Sequence, residues 1–212
     1  KIEKFKGDMF MSTLADIEGA ERFQHYDELE YTYYVLWRLK KSVHLENRDR
    51  HVESALNHYK GFTKVHPTDP VQQLQYLVPA YEDLVKVVGV TVNIEEKNLK
   101  TDVYNQITQI LNRLEFSAPK KDFTGKVGWA LTDTIRAKVK VINGNKLNDI
   151  PIRFSFEKGR GNFSSEQRFT DRKGNFHVQV TKITSKDAYQ EVRAQVDLGF
   201  WTDRMSKFSA FE

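Results

Sequence analysis

The chain contains no cysteine, which excludes a disulfide framework, a thiolate nucleophile and a zinc–thiolate site among these residues. Any compartment stays open, and an oxidising one loses an objection, since no thiol needs protection. No apolar run approaches the roughly 20 residues that a membrane-spanning helix needs. Neither sign of charge dominates: 33 basic residues stand against 29 acidic ones, for a net charge of +4. The signs are interspersed, as on a solvated surface. The longest basic stretches, "WRLKK" and "APKK", are short, and a nucleic-acid reader would show a longer stripe with interleaved aromatics. No nucleic-acid partner is expected. Proline is scarce, with 5 in 212 residues and none before Pro67. Aromatic residues are plentiful: 14 Phe, 9 Tyr and 3 Trp can furnish two aromatic-rich cores. The length allows one large domain or two small ones. With neither an initiator Met nor a signal peptide at its start, the chain is expected to be a processed or truncated piece of something longer.

The first half carries helical periodicity. From Asp8 to about Lys64, apolar residues recur at intervals of three and four: Met11, Leu14, Ala15 and Ile17, then Tyr31, Tyr34, Val35, Leu36 and Leu39, then Val52, Ala55, Leu56 and Tyr59. This predicts amphipathic helices with a break between Gly19 and Asp27. "KVHPTDP" ends the pattern, because Pro67 and Pro70 remove amide donors and push the preceding residues out of the helical region. A second amphipathic helix is predicted over 71–88, kinked or joined at Pro79. "GVTVNIEEKNL" predicts a short β excursion, and "TDVYNQITQILNRLEF" a last helix opened by a Thr/Asp cap. "ALNHYKGFTKVHPTDP" resembles the second half of a tetratricopeptide unit, but no echo at a period of about 34 follows it. Plain helical hairpins are the simpler reading.

After "SAPKKDFTG" the period becomes two. Ile135, Ala137, Val139 and Val141 alternate with Arg136, Lys138 and Lys140, which is a half-buried strand with one wet face. The same alternation recurs over 150–156, 176–180 and 192–200. "NGNKLND" is turn chemistry, with Asn143–Gly144 tolerating positive φ. The chain is therefore expected to be α+β in two parts: a helical domain over 1–117, then an antiparallel β-sandwich over 118–212, joined by the polar linker "SAPKKD".

Motifs that carry chemistry are weak. His44, His51 and His58 are spaced by seven residues, about 10.5 Å of helical rise, which is too far for neighbours to share one ion. "EKGRGNFS" joins strand to strand, whereas a phosphate loop leads into a helix N-terminus. The carboxylate pairs Glu28/Glu30, Glu82/Asp83 and Glu95/Glu96 are sequence neighbours and do not face one cleft in different environments. No catalytic residue, metal ligand or cofactor is assigned, and no enzyme activity is expected. "YTYYVLW" crowds Tyr31, Tyr34 and Trp37 onto what reads as one helix. That excess over one buried face marks them as partner-binding candidates. Trp129 and Trp201 are the candidates for stacking on a ligand.

"LNDIPIRFSFEKGRGNFS" followed by "RFTDRKGNFHVQV" resembles the bacterial immunoglobulin-like domains of the invasin and intimin type. The matching positions are Pro151, Ile152, Phe154, Gly161, Phe163, Thr170, Asp171, Gly174, Val178 and Val180, within roughly 120–200. Asp149 departs from the pattern, standing where the family usually has Gly. In the "TDRKG" turn, Asp171 can accept backbone N–H bonds and Gly174 can take the left-handed position that restarts the strand. Both read as structural turn residues. The order of a helical middle and an immunoglobulin-like end is also similar to a group of bacterial envelope lipoproteins. That similarity implies a non-catalytic structural or scaffolding protein of the bacterial envelope, periplasmic or outer-membrane-associated. Its partners would be other envelope proteins or an upstream domain, and its membrane association would run only through a lipid anchor upstream of Lys1. A carbohydrate- or ligand-binding module using exposed aromatics is the alternative.

Overall fold

In the computed structural model, residues 21–27, 32–141 and 147–202 are described. Strands β1 (Glu21–Asp27) and β2 (Thr32–Arg38) form an antiparallel hairpin, with Phe23 opposite Leu36, His25 opposite Tyr34 and Arg22 opposite Trp37. This corrects the helix expected across "YTYYVLW". The run is aromatic and β-branched, and such side chains lose rotamer freedom on a helix but fit a pleated surface. Its apolar spacing fitted either period, and pairing with "ERFQHYD" decided for the strand. Residues 1–20 and Tyr31 lie outside the described residues, as do Asn143 and Gly144.

Helices α1 (Lys41–Phe62) and α2 (Pro70–Lys86) follow. They run antiparallel: His51 Nδ1 lies 2.9 Å from Asp83 Oδ1, whereas Gly61, later in α1, abuts the ring of Tyr76, earlier in α2. A Cβ on Gly61 would overlap that ring, so glycine sets how closely the helices approach. α2 begins where "HPTDP" dictates. The Asp69 carboxylate accepts the Gln72 N–H at 3.0 Å, and Pro70 occupies the first turn, where its missing donor costs nothing. The helix passes through Pro79, which is buried together with Leu74, Leu77, Val78 and Leu84.

The expected β excursion is a minimal hairpin, β3 (Asn93–Ile94) and β4 (Lys97–Asn98), turning on Glu95 and Glu96 at φ 48° and 66°. α3 (Leu99–Asn112) starts at once. Its cap is the Asn98 side chain, which accepts the Thr101 N–H at 3.1 Å, and not the Thr101/Asp102 pair. α3 is also shorter than its apolar pattern predicts, because "LEFS" is strand β5 (Leu114–Ser117), paired with β6 (Ile135–Val141). Residues 114–117 therefore belong to a sheet, directly after the helix.

The remaining strands are β7 (Pro151–Lys158), β8 (Gly161–Phe163), β9 (Gln167–Phe169), β10 (Asn175–Val178), β11 (Val180–Ile183) and β12 (Glu191–Val196). They form two three-stranded antiparallel sheets, ordered β10-β6-β5 and β12-β7-β9, with β8 paired to β11. Because β8 lies between β7 and β9 in the chain, and β11 follows β10 after Gln179, the β8–β11 pair ties one sheet to the other. The inner faces meet through Phe154 of β7 and Phe176 of β10, whose ring centroids are 5.9 Å apart. Burying two such rings contributes about 2 kcal/mol apiece before any packing gain. The buried apolar residues of helices and sheets form one connected cluster.

The turn before β10 is held at two levels. The Asp171 carboxylate accepts the backbone N–H groups of Lys173 (2.8 Å) and Asn175 (2.9 Å), and Gly174 N–H donates to Asp171 O at 2.9 Å. The Asn175 side-chain amide also donates to this carboxylate. These bonds, led by those from Asn175, hold the Asp171 carboxyl below its usual range. Gly174 has φ +78°, and its carbonyl accepts Val139 N–H at 2.9 Å. A Cβ there would overlap the Val139 carbonyl. Gly174→Val is therefore expected to destabilise the fold by at least about 1–2 kcal/mol from backbone strain alone. Thermal unfolding followed by near-ultraviolet circular dichroism checks this. An unmoved melting temperature would mean that Gly174 does not hold the turn.

Candidate functional site

Five phenylalanines run in ring-to-ring contact through the β region. Phe116 meets Phe176 edge-on at 6.2 Å, and Phe176 meets Phe154 at 5.9 Å. Phe154 meets Phe163 at 6.0 Å, and Phe163 stacks on Phe156 at 4.6 Å. Strand alternation places them so: Phe154 and Phe156 share the inner face of β7, Phe176 faces them from β10, and Phe116 reaches in from β5. The middle of the row is sealed, with Phe154 and Phe176 each 3% exposed, whereas Phe116 at its end is 43% exposed.

That exposed end opens into a cleft of about 770 Å³ between the two sheets. Its walls include Ile135 and Ala137 from β6, Phe156 from β7, and Val192 and Ala194 from β12, with residues 187–191 at the rim. At the rim, Lys158 Nζ sits 3.5 Å from the centroid of the exposed Tyr189 ring, a cation–π contact. β5 and β12 are both edge strands, and both line the cleft. The apolar space therefore lies beside backbone groups that the sheets themselves leave unpaired. An aromatic cleft flanked by strand edges suits an extended apolar segment, which would bury its side chains inside and pair its backbone at the border.

A polar clamp fixes the opposite side of β7. Asp197, 5% exposed, accepts Arg153 Nε at 3.0 Å and Gln167 Nε2 at 2.7 Å, and so joins β7, β9 and the end of β12. The buried Thr170 hydroxyl accepts Ile150 N–H at 2.9 Å and donates to the Leu147 carbonyl. Asp149 adopts φ 64°, in the left-handed region, which aspartate tolerates better than most residues.

The residues singled out from sequence scatter. Asp171 and Gly174 form the turn under β6. Trp129 is 71% exposed on a turn whose backbone is fixed by Trp129 N–H to Lys126 O and by Ile183 N–H to Trp129 O. Trp201 is 3% exposed, in a final helical turn at 199–202. It packs in the core cluster and cannot serve as a stacking platform, which corrects that assignment: a large apolar indole gains most by leaving water. Tyr34 and Trp37 lie on β2, not on a helix. Sequence reasoning missed Phe116, which was given to the last helix, and Tyr189. The i, i+2 spacing of Leu114 and Phe116 directly before the linker was the available signal.

Titratable groups gather between the helices. Besides the His51–Asp83 contact, Tyr59 Oη donates to Asp102 at 2.8 Å. Burial first, then that bond, raises the Tyr59 pKa to about 12. Burial lowers the pKa of His58, partly offset by the charge of Asp83. These pairs tie α1 to α2 and α3. Among the described residues, no helix is long and apolar enough to cross a membrane, and no cluster of His, Asp and Glu is arranged to hold a metal ion.

No protein-family model matches the chain, and no curated protein matches it. Among solved structures, the D0-D1 domain of intimin aligns at 27% identity over 31% of this chain and 32% of that one, with a TM-score of 0.24. A C-terminal 282-residue fragment of intimin, in complex with the translocated intimin receptor (Tir) intimin-binding domain, aligns at 26% identity over 39% of this chain and 27% of that one, with a TM-score of 0.26. The matched stretch thus spans about a third of the first chain and about a quarter of the second.

Two outcomes are expected. Trp129→Phe should remove a red-shifted fluorescence component readily quenched by acrylamide, and Trp201→Phe a blue-shifted one that resists quenching; the reverse assignment would contradict the burial. For His58, a lowered folded pKa means that the unfolded chain binds the extra proton first. The stability that His58 contributes is therefore present above its unfolded pKa, near 6.5, and lost as the pH falls below it. The wild-type melting temperature should drop more than that of His58→Gln between pH 7.5 and pH 5.5. Equal drops would show that His58 takes no part.

Proposed function

We propose that this chain is a non-catalytic binding and scaffolding protein of the bacterial envelope, built from a helical part and an immunoglobulin-like β-sandwich. The carrying observation is the cleft between the sheets. It is aromatic, open at Phe116, and bordered by the edge strands β5 and β12. Apolar aromatic anchors beside open strand edges fit a protein partner, since such groups carry much of the energy of interfaces. The sandwich reading draws its support from two antiparallel sheets in face-to-face contact at Phe154 and Phe176, and from the turn that Thr170, Asp171 and Gly174 build. The envelope location rests on the sequence order of helical middle and immunoglobulin-like end.

The two-part division, 1–117 and 118–212 from sequence, belongs to the same proposal, with Arg113 as the joint that strand pairing favours. Tyr34 and Trp37 on β2 remain proposed contact residues for another envelope protein or an upstream domain. A second reading, a carbohydrate-binding module, draws on Trp129, whose indole is exposed on a turn with a fixed backbone. Among the described residues, the exposed aromatics do not form the flat row along one sheet face that sugar stacking favours: Phe116 is on β5, Phe169 on β9, Tyr104 on α3, and Trp129 and Tyr189 in loops.

Site-specific photocrosslinking separates the readings. With benzoylphenylalanine in place of Phe116, the chain in the cells that make it should form a discrete protein adduct. The same probe at exposed Val88, outside the cleft, should not. Equal adducts at both positions, or none at Phe116 together with glycan retention that Trp129→Ala abolishes, would overturn the protein-binding reading.

A further inference from the structure

The outer face of the β10-β6-β5 sheet has a character unlike the cleft on its inner side. Strand alternation turns Arg136, Lys138 and Lys140 of β6 to the same side, with Ala137 and Val139 directed inward. β6 is the central strand, so the three cations stand in a row down the middle of the face. Alternate residues of a strand are about 6.8 Å apart. Cross-strand register adds Ser117 and Asn175 on either side of Lys138, and His177 beside Arg136. Glu115, opposite Lys140, is the single acid among the described outward positions of these strands. Arg136, Lys138 and Lys140 have no ion-pair partner among the described residues.

Three like charges aligned on adjacent outward positions repel one another, and an ordinary solvated sheet face intersperses the signs. The row also lies in a concavity. Residues 117–119 border a cleft of about 630 Å³ that all three cations line together with Asn175 and His177, with Ala137 and Phe176 also in its wall. Positive charge along a cleft concentrates a complementary anion more effectively than the same charge on a convex surface.

We propose that this cleft is a second binding site, for an extended acidic peptide with carboxylates at alternate positions. An extended chain presents alternate side chains at the same repeat as β6, so Asp or Glu at i, i+2 and i+4 can meet the three cations in register. Ser117, Asn175 and His177 flank the row with hydrogen-bonding groups suited to the peptide's amides. Nucleic acid fits less well: Phe176 is the one aromatic carbocycle in the lining of this cleft, and at 3% exposure it offers no open face for base stacking. A membrane surface fits less well too, because the cations sit in a recess and not on a plane. The site is independent of the aromatic cleft, and either can stand without the other.

The test uses the whole chain and defined probes. Fluorescence anisotropy is measured for a labelled peptide of alternating Glu and Thr, for a peptide of equal composition with its Glu residues in one block, for polyphosphate, and for vesicles containing phosphatidylglycerol. Binding of the alternating peptide is expected, weakening steeply as salt is added. Affinity should fall about tenfold for Arg136→Gln with Lys138→Gln, with little change in melting temperature, since Arg136 is exposed, Lys138 is half-buried, and neither makes an ion pair among the described residues. Lys64→Gln with Lys86→Gln, both exposed and away from this sheet, serves as the charge-matched control and should leave affinity unchanged. The proposal is overturned if the alternating peptide does not bind, if the block peptide binds as well, if the double variant binds like wild type, or if polyphosphate or vesicles bind more tightly. Phe116→Ala should leave peptide binding intact, which separates this site from the cleft.

Discussion

The contact of Phe154 with Phe176 is the constraint on which the β region depends. One ring comes from each sheet, each is almost fully buried, and together they set how the two sheets lie over one another. Residues placed by that contact acquire their roles from it. Phe163 and Phe156 extend the ring contacts on one side, and Phe116 extends them on the other to the point where cover runs out. The cleft is the part of the sheet interior that β12 and the loop at 187–191 do not close. A site of this kind needs no special residue; it arises where an aromatic core continues past its own lid.

Backbone geometry fixes the registers around that core. Gly174 lets β10 approach β6 so closely that its carbonyl receives the Val139 amide. Thr170 binds the chain entering β7 at both Leu147 and Ile150, and Asp149 supplies the left-handed residue at that entry. Because side chains alternate along a strand, a slip of one residue in β6 would bring the cations of its outer face into the aromatic cleft. Burying three charges against phenylalanine costs far more than any turn contributes. The outer charges and the inner rings therefore enforce the same register from opposite sides.

How far the fold was legible from sequence depended on whether local and tertiary signals agreed. α2 was legible because "HPTDP" caps it and its apolar face has one periodicity. The pattern at Thr170, Asp171 and Gly174 was legible because a turn with an acceptor and a left-handed residue is a local object. "YTYYVLW" was misread since an aromatic-rich run satisfies both periods, and only a partner strand decides between them. "LEFS" was misread since it continues a helical apolar series without a break, although its carbonyls and amides pair with β6. Trp201 was misread as a platform because large aromatics serve cores and ligands alike, and exposure is not written in residue type.

By itself, the sequence determined the α+β composition, the helix that follows "HPTDP", the alternation of β6 with its cations on one side, and the turn chemistry of 170–175. Each of these depends on residues within a few positions of one another, whose preferences act before any tertiary contact forms. Tertiary structure alone decided that 21–38 is a hairpin, that 114–117 belongs to a sheet, that Phe116 is uncovered while Trp201 is buried, and that Ser117, Asn175 and His177 flank the cationic row. Those outcomes depend on which distant segments meet. Strand pairing and sheet packing are long-range contacts, and the free energy that selects among them is shared across the whole core.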